Sequence, residues 1–327
     1  MKLATFAIPT PAGPVRRIGA LVDGRLVDLQ VAYAGYLERT DPGCDATRLA
    51  AALLPDDMVL FLGNGTLGRE AALRAIEESG RGEEALGRRT AYRLEEVRLL
   101  APVPRPRVIR DFLTFEGHMR NASRALGRGG EIPPAWYEVP AYYKGDPDTV
   151  VGPDHDVVMP RYTEKFDFEL ELGMVIGRRG KDIPRDEAPK YIAGFTIFND
   201  FSARDQQIRE APVGMGPSKG KDFDTGNAIG PYLVTPDEID ISDVRMVARV
   251  NGEVWSEGRS AGMHFSFADL IAHVSQSETI YPGELWGSGT VTNGCGLELG
   301  RWLQPGDVVE LEVEGIGVLR NRVVRTE

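Results

Sequence analysis

FDFELELGMVIG, residues 166–177, decides the fold class of this chain. Its apolar content, with acidic residues at alternate positions, reads as a strand, in which residues two apart point to one face and lie about 6.6 Å apart along the backbone. Glu169 and Glu171 therefore share a face, close enough for one cation to bridge them. Two glutamates on a strand otherwise suited to burial repel each other and lose hydration, so both stay ionised only beside a positive charge. A metal ion is the simplest such charge. Alone, a Glu-x-Glu pair more often marks the solvent face of an antiparallel sheet. The metal reading gains its weight from Asp111 and Asp200, from the histidine His118, and from Glu298 in the segment GLEL, which together read as a hard-metal hydrolase site.

Segments of the same kind recur on both sides. VVGPDHDVVMP, YIAGFTIFND, MVARVNGEVW, ELWGSGTVT and DVVELEVEGIGVLRNRVV are β-rich and separated by Gly, Pro, Asn and Asp turns. Beyond residue 105 only two stretches read as helices, 116–126, ended by Gly127 and Gly129, and 267–276. Strands outweigh crossover helices, which disfavours a doubly wound parallel sheet and predicts a mainly β fold with α/β elements around a large mixed or antiparallel core. Upstream, ATFAIPTPAGPVRRIGALVDGRLVDL reads as a hairpin turning at Asp23-Gly24, followed by helices over 45–54 and 67–78. Prolines 102, 104 and 106 break helix and read as a connector. The expectation is a small α+β domain over 1–100 and a main domain over 105–327 that holds every candidate site residue.

Composition excludes several classes. With 327 residues, 42% hydrophobic and 27% charged, the chain is of globular type, and its net charge of -11 argues against nucleic acid or an anionic membrane surface as partner. Small-molecule partners are favoured. No apolar run reaches the ~20 residues of a membrane span, and MKLATFAIPTPAGPVRR lacks the apolar core of a signal peptide, so a cytoplasmic protein is expected. Cys44 and Cys295 are too few for a disulfide framework and are read as reduced thiols without a role. GMGPSKGKDF is not a phosphate-binding loop, because Met215 and Asp222 stand where glycine and Ser or Thr are required. GDPDTVVGPDHD has aspartates at turn positions without an EF-hand register.

Acidic oxygens without a cysteine or histidine donor suit a hard cation, Mg2+ or Ca2+ with Mn2+ possible, and disfavour zinc and copper. Such an ion can chelate the two oxygens of a β-dicarbonyl or 2-oxo acid and stabilise the enolate left when the bond between its carbons breaks. A histidine beside it can act as general base toward water.

In order along the chain, RDFLTFEGHMRNA, FELELGMVIG, FNDFSARDQQ, GKDFDT, SGT and GLEL resemble the fumarylacetoacetate hydrolase family over residues 105 to 300. The resemblance implies a mixed β-roll catalytic domain, a divalent cation and a homodimer. It implies Asp111, Glu169, Glu171 and Asp200 as metal ligands and His118 as the catalytic base, with Arg204, Gln207 and Lys221 assisting. It further implies Tyr143 and Thr290 as substrate contacts, with Leu113 where fumarylacetoacetate hydrolase itself has a substrate-contacting tyrosine. Short acylpyruvate hydrolases of the family pair the histidine with a glutamate three residues on. Here that position is Asn121, which leaves Glu298 as the partner of His118. Leu113 and the loop 127–135 are expected to set the substrate.

The resulting reading is a metal-dependent hydrolase that cleaves a carbon–carbon bond of a small anionic 1,3-diketo acid, of acylpyruvate, fumarylpyruvate or fumarylacetoacetate type, from aromatic breakdown. The alternatives are decarboxylation or keto–enol isomerisation of a 2-oxo dicarboxylate and, in a different class, a non-catalytic β domain held together by its cation.

Overall fold

The computed structural model describes residues 1–325 of the chain. Among them, twelve strands form one mixed sheet and five form a second. Ten of the first sheet's strands run from edge to edge as Ala91–Arg93, Arg25–Asp28, Val15–Val22, Lys2–Ile8, Asn227–Val234, Ile192–Asp200, Glu171–Ile176, Leu285–Gly287, Ile109–Phe112 and Tyr142–Gly145, while Val150–Val151 also pairs with Asn227–Val234 and Arg98–Leu99 with Lys2–Ile8. Neighbours in this order are antiparallel except Leu285–Gly287 and Ile109–Phe112, which run parallel. The second sheet orders Asp156–Val158, Gly317–Val324, Val308–Val313, Arg245–Val250 and Glu253–Arg259. The strand-dominated mixed fold expected from the sequence is the one observed, with open sheet edges and no closed barrel.

The first sheet crosses the proline-rich connector without a break. Lys2–Ile8 pairs with Asn227–Val234 in the register Lys2↔Val234 and Leu3↔Leu233, and Thr5 Oγ1 donates to the Pro102 carbonyl at 2.7 Å. Strands from residues 1–100 thus extend the sheet that carries the candidate site.

Glu171–Ile176 is buried throughout, on both faces. Leu172, Met174 and Ile176 enter one apolar cluster with Phe166, Phe168 and Trp286. Val175 enters another with Phe198, Leu285 and the helix residues Leu29, Met58, Phe61 and Ala72. The period of two assigns Glu171 to the same face as Val175.

Three elements differ from expectation. Helix Leu29–Thr40 follows the second hairpin strand directly, because the Asp28 side chain accepts from Val31 N and turns the chain at a residue that reads as strand from its apolar neighbours. Helix Met58–Gly63, capped by Asp57, is too short to show a period. The strand Asn227–Val234 was hidden by Gly230-Pro231, which reads as a turn. It lies mid-sheet, and the irregular register between Phe195 and Ile197 opposite Val234 and Gly230 opens the ladder where the proline has no donor. The helices expected at 116–126 and 267–276 are Glu116–Ala125 and Phe267–Val274.

Candidate active site

Three strands of the first sheet converge on the carboxylates. Asp111 lies in Ile109–Phe112, Glu171 opens Glu171–Ile176, and Asp200 closes Ile192–Asp200. Glu169 lies two residues before its strand and is held there by a bridge to Cys295, so the Glu-x-Glu pair is not one uninterrupted ladder. Oxygens of Asp111, Glu169 and Glu171 lie within 4.8 Å of one another, and all three residues are buried. The solvent-face reading of the pair is thereby excluded. Gly289 N donates to Glu171 Oε2 at 3.0 Å and Thr290 Oγ1 to Oε1 at 3.4 Å.

Asp200 stands apart from this triad and is linked to it by a cation. Lys221 Nζ donates to Asp200 Oδ2 and to Glu169 Oε2, each at 2.6 Å, and the Tyr143 hydroxyl also donates to Asp200 Oδ2. Arg204 donates to Glu169 Oε1 and to Asp167 Oδ2, both at 2.7 Å, while Gln207 Oε1 accepts from its Nη1 at 2.9 Å. The cations expected to face substrate are therefore engaged first by the protein's own carboxylates. Thr290 lies behind Glu171, away from the cavity wall.

Burial, and next to it Asp200, pushes the Asp111 carboxyl well above the usual range, and burial with Asp111 and Glu169 does the same to Glu171. Burial also raises Glu169, but Lys221 and Arg204 overcome it and hold that carboxyl well below the usual range. Two buried cations do not balance the five buried carboxylates Asp111, Asp167, Glu169, Glu171 and Asp200. Asp111 Oδ1 and Asp200 Oδ1 are buried without a hydrogen-bond partner. Orphaned anionic oxygens and an all-oxygen donor set fit a hard divalent cation, with Asp111, Glu169 and Glu171 as its holders and Asp200 beside them.

Sequence reasoning missed Gly287, which pairs with Asp111 on one side and Gly173 on the other. A Cβ there would come within 2.2 Å of Asp111 Oδ1 and 2.8 Å of Glu171 Oε2. The carboxylate oxygens are the ends of rotatable side chains, while the buried Phe198 ring, also within 2.8 Å, has to shift by a few tenths of an ångström, so Gly287→Ala is expected to swing the carboxylates apart at some cost in stability. Mn2+ titration should show affinity weakened by roughly 10- to 100-fold, with an unchanged circular dichroism spectrum. The signal was present in the Gly-x-Gly of WGSG, but only the sheet order places it against Asp111.

His118, on the buried side of helix Glu116–Ala125, donates from Nδ1 to Glu298 Oε2 at 2.9 Å. Glu298 lies in a helical turn, Gly296–Leu299, and its side chain is 0% exposed. Asn121 Nδ2 and Asn293 N donate to its other oxygen at 3.1 and 3.0 Å. Asn121, standing where a partner glutamate was looked for, thus holds the distant one in place. Asp167, a second missed residue, accepts from Gly296 N at 2.6 Å and Leu297 N at 3.0 Å as well as from Arg204, so it ties the turn carrying Glu298 to the carboxylate cluster.

A cavity of about 750 Å3 opens over these groups. Asp111, Glu169, His118 and Lys221 form its polar floor, beside Tyr143, Arg204 and Gln207. Leu113, Met119, Leu126, Ile132, Pro133 and Pro134 make an apolar wall, and Arg128 and Glu131 from the same loop add charges.

The mixed sheet and helix Glu116–Ala125 bring buried carboxylates and a His–Glu pair together beside one cavity. The sequence profile of the fumarylacetoacetate hydrolase C-terminal domain matches residues 107–324, and the chain belongs to this family. It is 32% identical over 328 residues to a mitochondrial oxaloacetate tautomerase of Rattus norvegicus, spanning 99% of this chain and 92% of the relative. The structure of 5-carboxymethyl-2-hydroxymuconate delta-isomerase from Mycobacterium smegmatis matches over 100% of both chains, with a TM-score of 0.67 and 26% identity. Maleylpyruvate hydrolase from Sphingobium sp. SYK-6, solved with manganese (II) ion and pyruvate, shares the fold over 100% of both chains, with a TM-score of 0.71 and 20% identity. The proteins similar to this chain thus include a tautomerase and an isomerase, and a hydrolase shares its fold. No helix among the described residues is long and apolar enough to cross a membrane.

Proposed function

We propose that this enzyme cleaves a carbon–carbon bond of a small 1,3-diketo acid, of acylpyruvate or fumarylpyruvate type such as aromatic breakdown yields, by adding water to it. The observation that carries this reading is His118, held by the buried Glu298, on the polar floor of a cavity with an apolar side. That cavity has room for an acyl tail as well as a pyruvoyl group.

A divalent cation held by Asp111, Glu169 and Glu171 would supply Lewis-acid polarisation of the substrate's oxygens. The residues do the rest. With Nδ1 donating to Glu298, His118 keeps the lone pair on Nε2 and takes a proton from water, so that hydroxide adds to the acyl carbonyl. Glu298 stabilises the imidazolium. That imidazolium then gives its proton to the carbon released when the bond breaks, which completes the addition of water. Tyr143, Gln207 and Leu113 line the cavity and would position the substrate.

A second reading, keto–enol tautomerisation of a 2-oxo dicarboxylate, is favoured by the rat tautomerase, whose similarity runs the length of this chain. There the same base moves a proton and no bond between carbons is cut. A spectrophotometric screen of acylpyruvates, fumarylpyruvate, fumarylacetoacetate and enol-oxaloacetate with Mg2+, Mn2+ or Ca2+, with products separated, tests both. Two carboxylic fragments support hydrolysis, and loss of the oxaloacetate enol without fragments supports the second reading. No consumption of any of them rejects both and leaves a cation that only holds the fold.

We also propose a homodimer. The five-stranded sheet ends on Glu253–Arg259, where Val254 is 51% exposed, an edge that a second copy would cover. Light scattering is expected to give twice 35.8 kDa at micromolar protein. A monomer at every concentration would reject it.

A further inference from the structure

Cys295 is fully buried, and its thiol donates to Glu298 Oε2 at 3.4 Å, the same oxygen that accepts from His118 Nδ1 at 2.9 Å. One nitrogen, one sulfur and one oxygen therefore lie within 4.8 Å of one another. Tetrahedral zinc with bonds of about 2.0–2.3 Å needs ligand separations of roughly 3.3–3.6 Å, so the Nδ1–Oε2 pair at 2.9 Å and the Sγ–Oε2 pair at 3.4 Å would open by only a few tenths of an ångström, and Sγ and Nδ1 already lie within 4.8 Å. Asn121 and Asn293 fix the other Glu298 oxygen and keep Oε2 aimed at the imidazole and the thiol. His118 and Leu297 line the cavity, so the triad lies directly beside it.

The geometry points to a second metal site, separate from the carboxylate cluster, at which His118 Nδ1, Cys295 Sγ and Glu298 Oε2 bind a borderline-soft divalent ion such as Zn2+. On binding, the thiol proton leaves to solvent, the imidazole proton moves from Nδ1 to Nε2, and the ion takes the place of both hydrogen bonds to Glu298. The two sites differ in donor chemistry. The all-oxygen cluster selects a hard cation, whereas thiolate and imidazole select zinc or cobalt over magnesium. Under the hydrolytic reading the consequence is inhibition, because zinc at this triad removes the Nε2 lone pair and the carboxylate partner of the base together.

The binding test is independent of any activity. Full-length protein saturated with Mg2+ is titrated with Co2+, and the near-ultraviolet thiolate-to-cobalt charge-transfer band is read. The band is expected in the wild type and in Cys44→Ser, and Zn2+ should displace it. It should be absent in Cys295→Ser, which keeps a donor to Glu298, and in Cys295→Ala, with folding of both checked by circular dichroism. No band in the wild type, or a band that survives in Cys295→Ser, overturns the site. Where turnover is found, Zn2+ should inhibit it without relief by excess Mg2+, and Cys295→Ser should need roughly 100-fold more Zn2+. Inhibition unchanged in that variant would also overturn the proposal. If no substrate is turned over, the functional reading fails alone and the cobalt band still decides the site.

Discussion

Glu171→Ala is expected to lose its divalent cation and its turnover together. Glu171 is 0% exposed, faces Asp111 and Glu169, and has only Gly289 N and Thr290 Oγ1 as donors, neither of them charged. No cation among the described residues pairs with it. Removing it takes away one of three close anionic ligands, and metal analysis after dialysis should show affinity lower by about 100-fold or more. Retention of full metal content would refute the carboxylate site.

Without cation, the sign for stability is opposite to that for activity. Burial first, and then neighbouring carboxylates, raises Asp111 and Glu171 in the folded state. The native protein then keeps protons that the unfolded chain releases. This pair's contribution is therefore fully present below the unfolded value of about 4 and is lost as pH rises toward the raised folded value. Metal-free Glu171→Gln should accordingly gain stability over metal-free wild type as pH rises, read as a growing difference in Tm. Saturating Mg2+ should erase that difference or reverse it.

His118→Ala is expected to lower turnover by about 10²- to 10⁴-fold while leaving metal content unchanged, since the imidazole bonds to Glu298 and to no carboxylate of the cluster. Glu298→Gln should lose much of the same activity, because an amide does not stabilise the imidazolium. The double variant should be barely worse than His118→Ala, as parts of one catalytic unit are not additive. Multiplying losses in kcat would show that Glu298 acts elsewhere. If His118→Ala still tautomerises a 2-oxo dicarboxylate at the normal rate, the base assignment fails for both readings.

The sequence by itself determined the strand-rich class and the family, and it singled out the carboxylates and His118 as candidates, because period-two patterning and short motifs are local properties of the chain. It named Glu298 from GLEL but paired it with His118 only by elimination, because Asn121 stands where a nearer glutamate would be. What it could not contain is how residues far apart in number share one sheet. Gly287 matters because Leu285–Gly287 lies between Glu171–Ile176 and Ile109–Phe112, an order set by sheet pairing and not by chain position. Asp167 reads as one more acidic residue of a strand until Gly296, Leu297 and Arg204 are brought to it. Lys221 and Arg204 read as cations free for substrate, and only packing turns them inward, since carboxylates buried without a counter-charge would cost more than the protein could sustain. Cys295, a thiol without a role in the sequence, lies against Glu298 and His118 only because the bridge to Glu169 and the turn Gly296–Leu299 carry it there, and three-dimensional proximity of that kind is decided by tertiary packing alone.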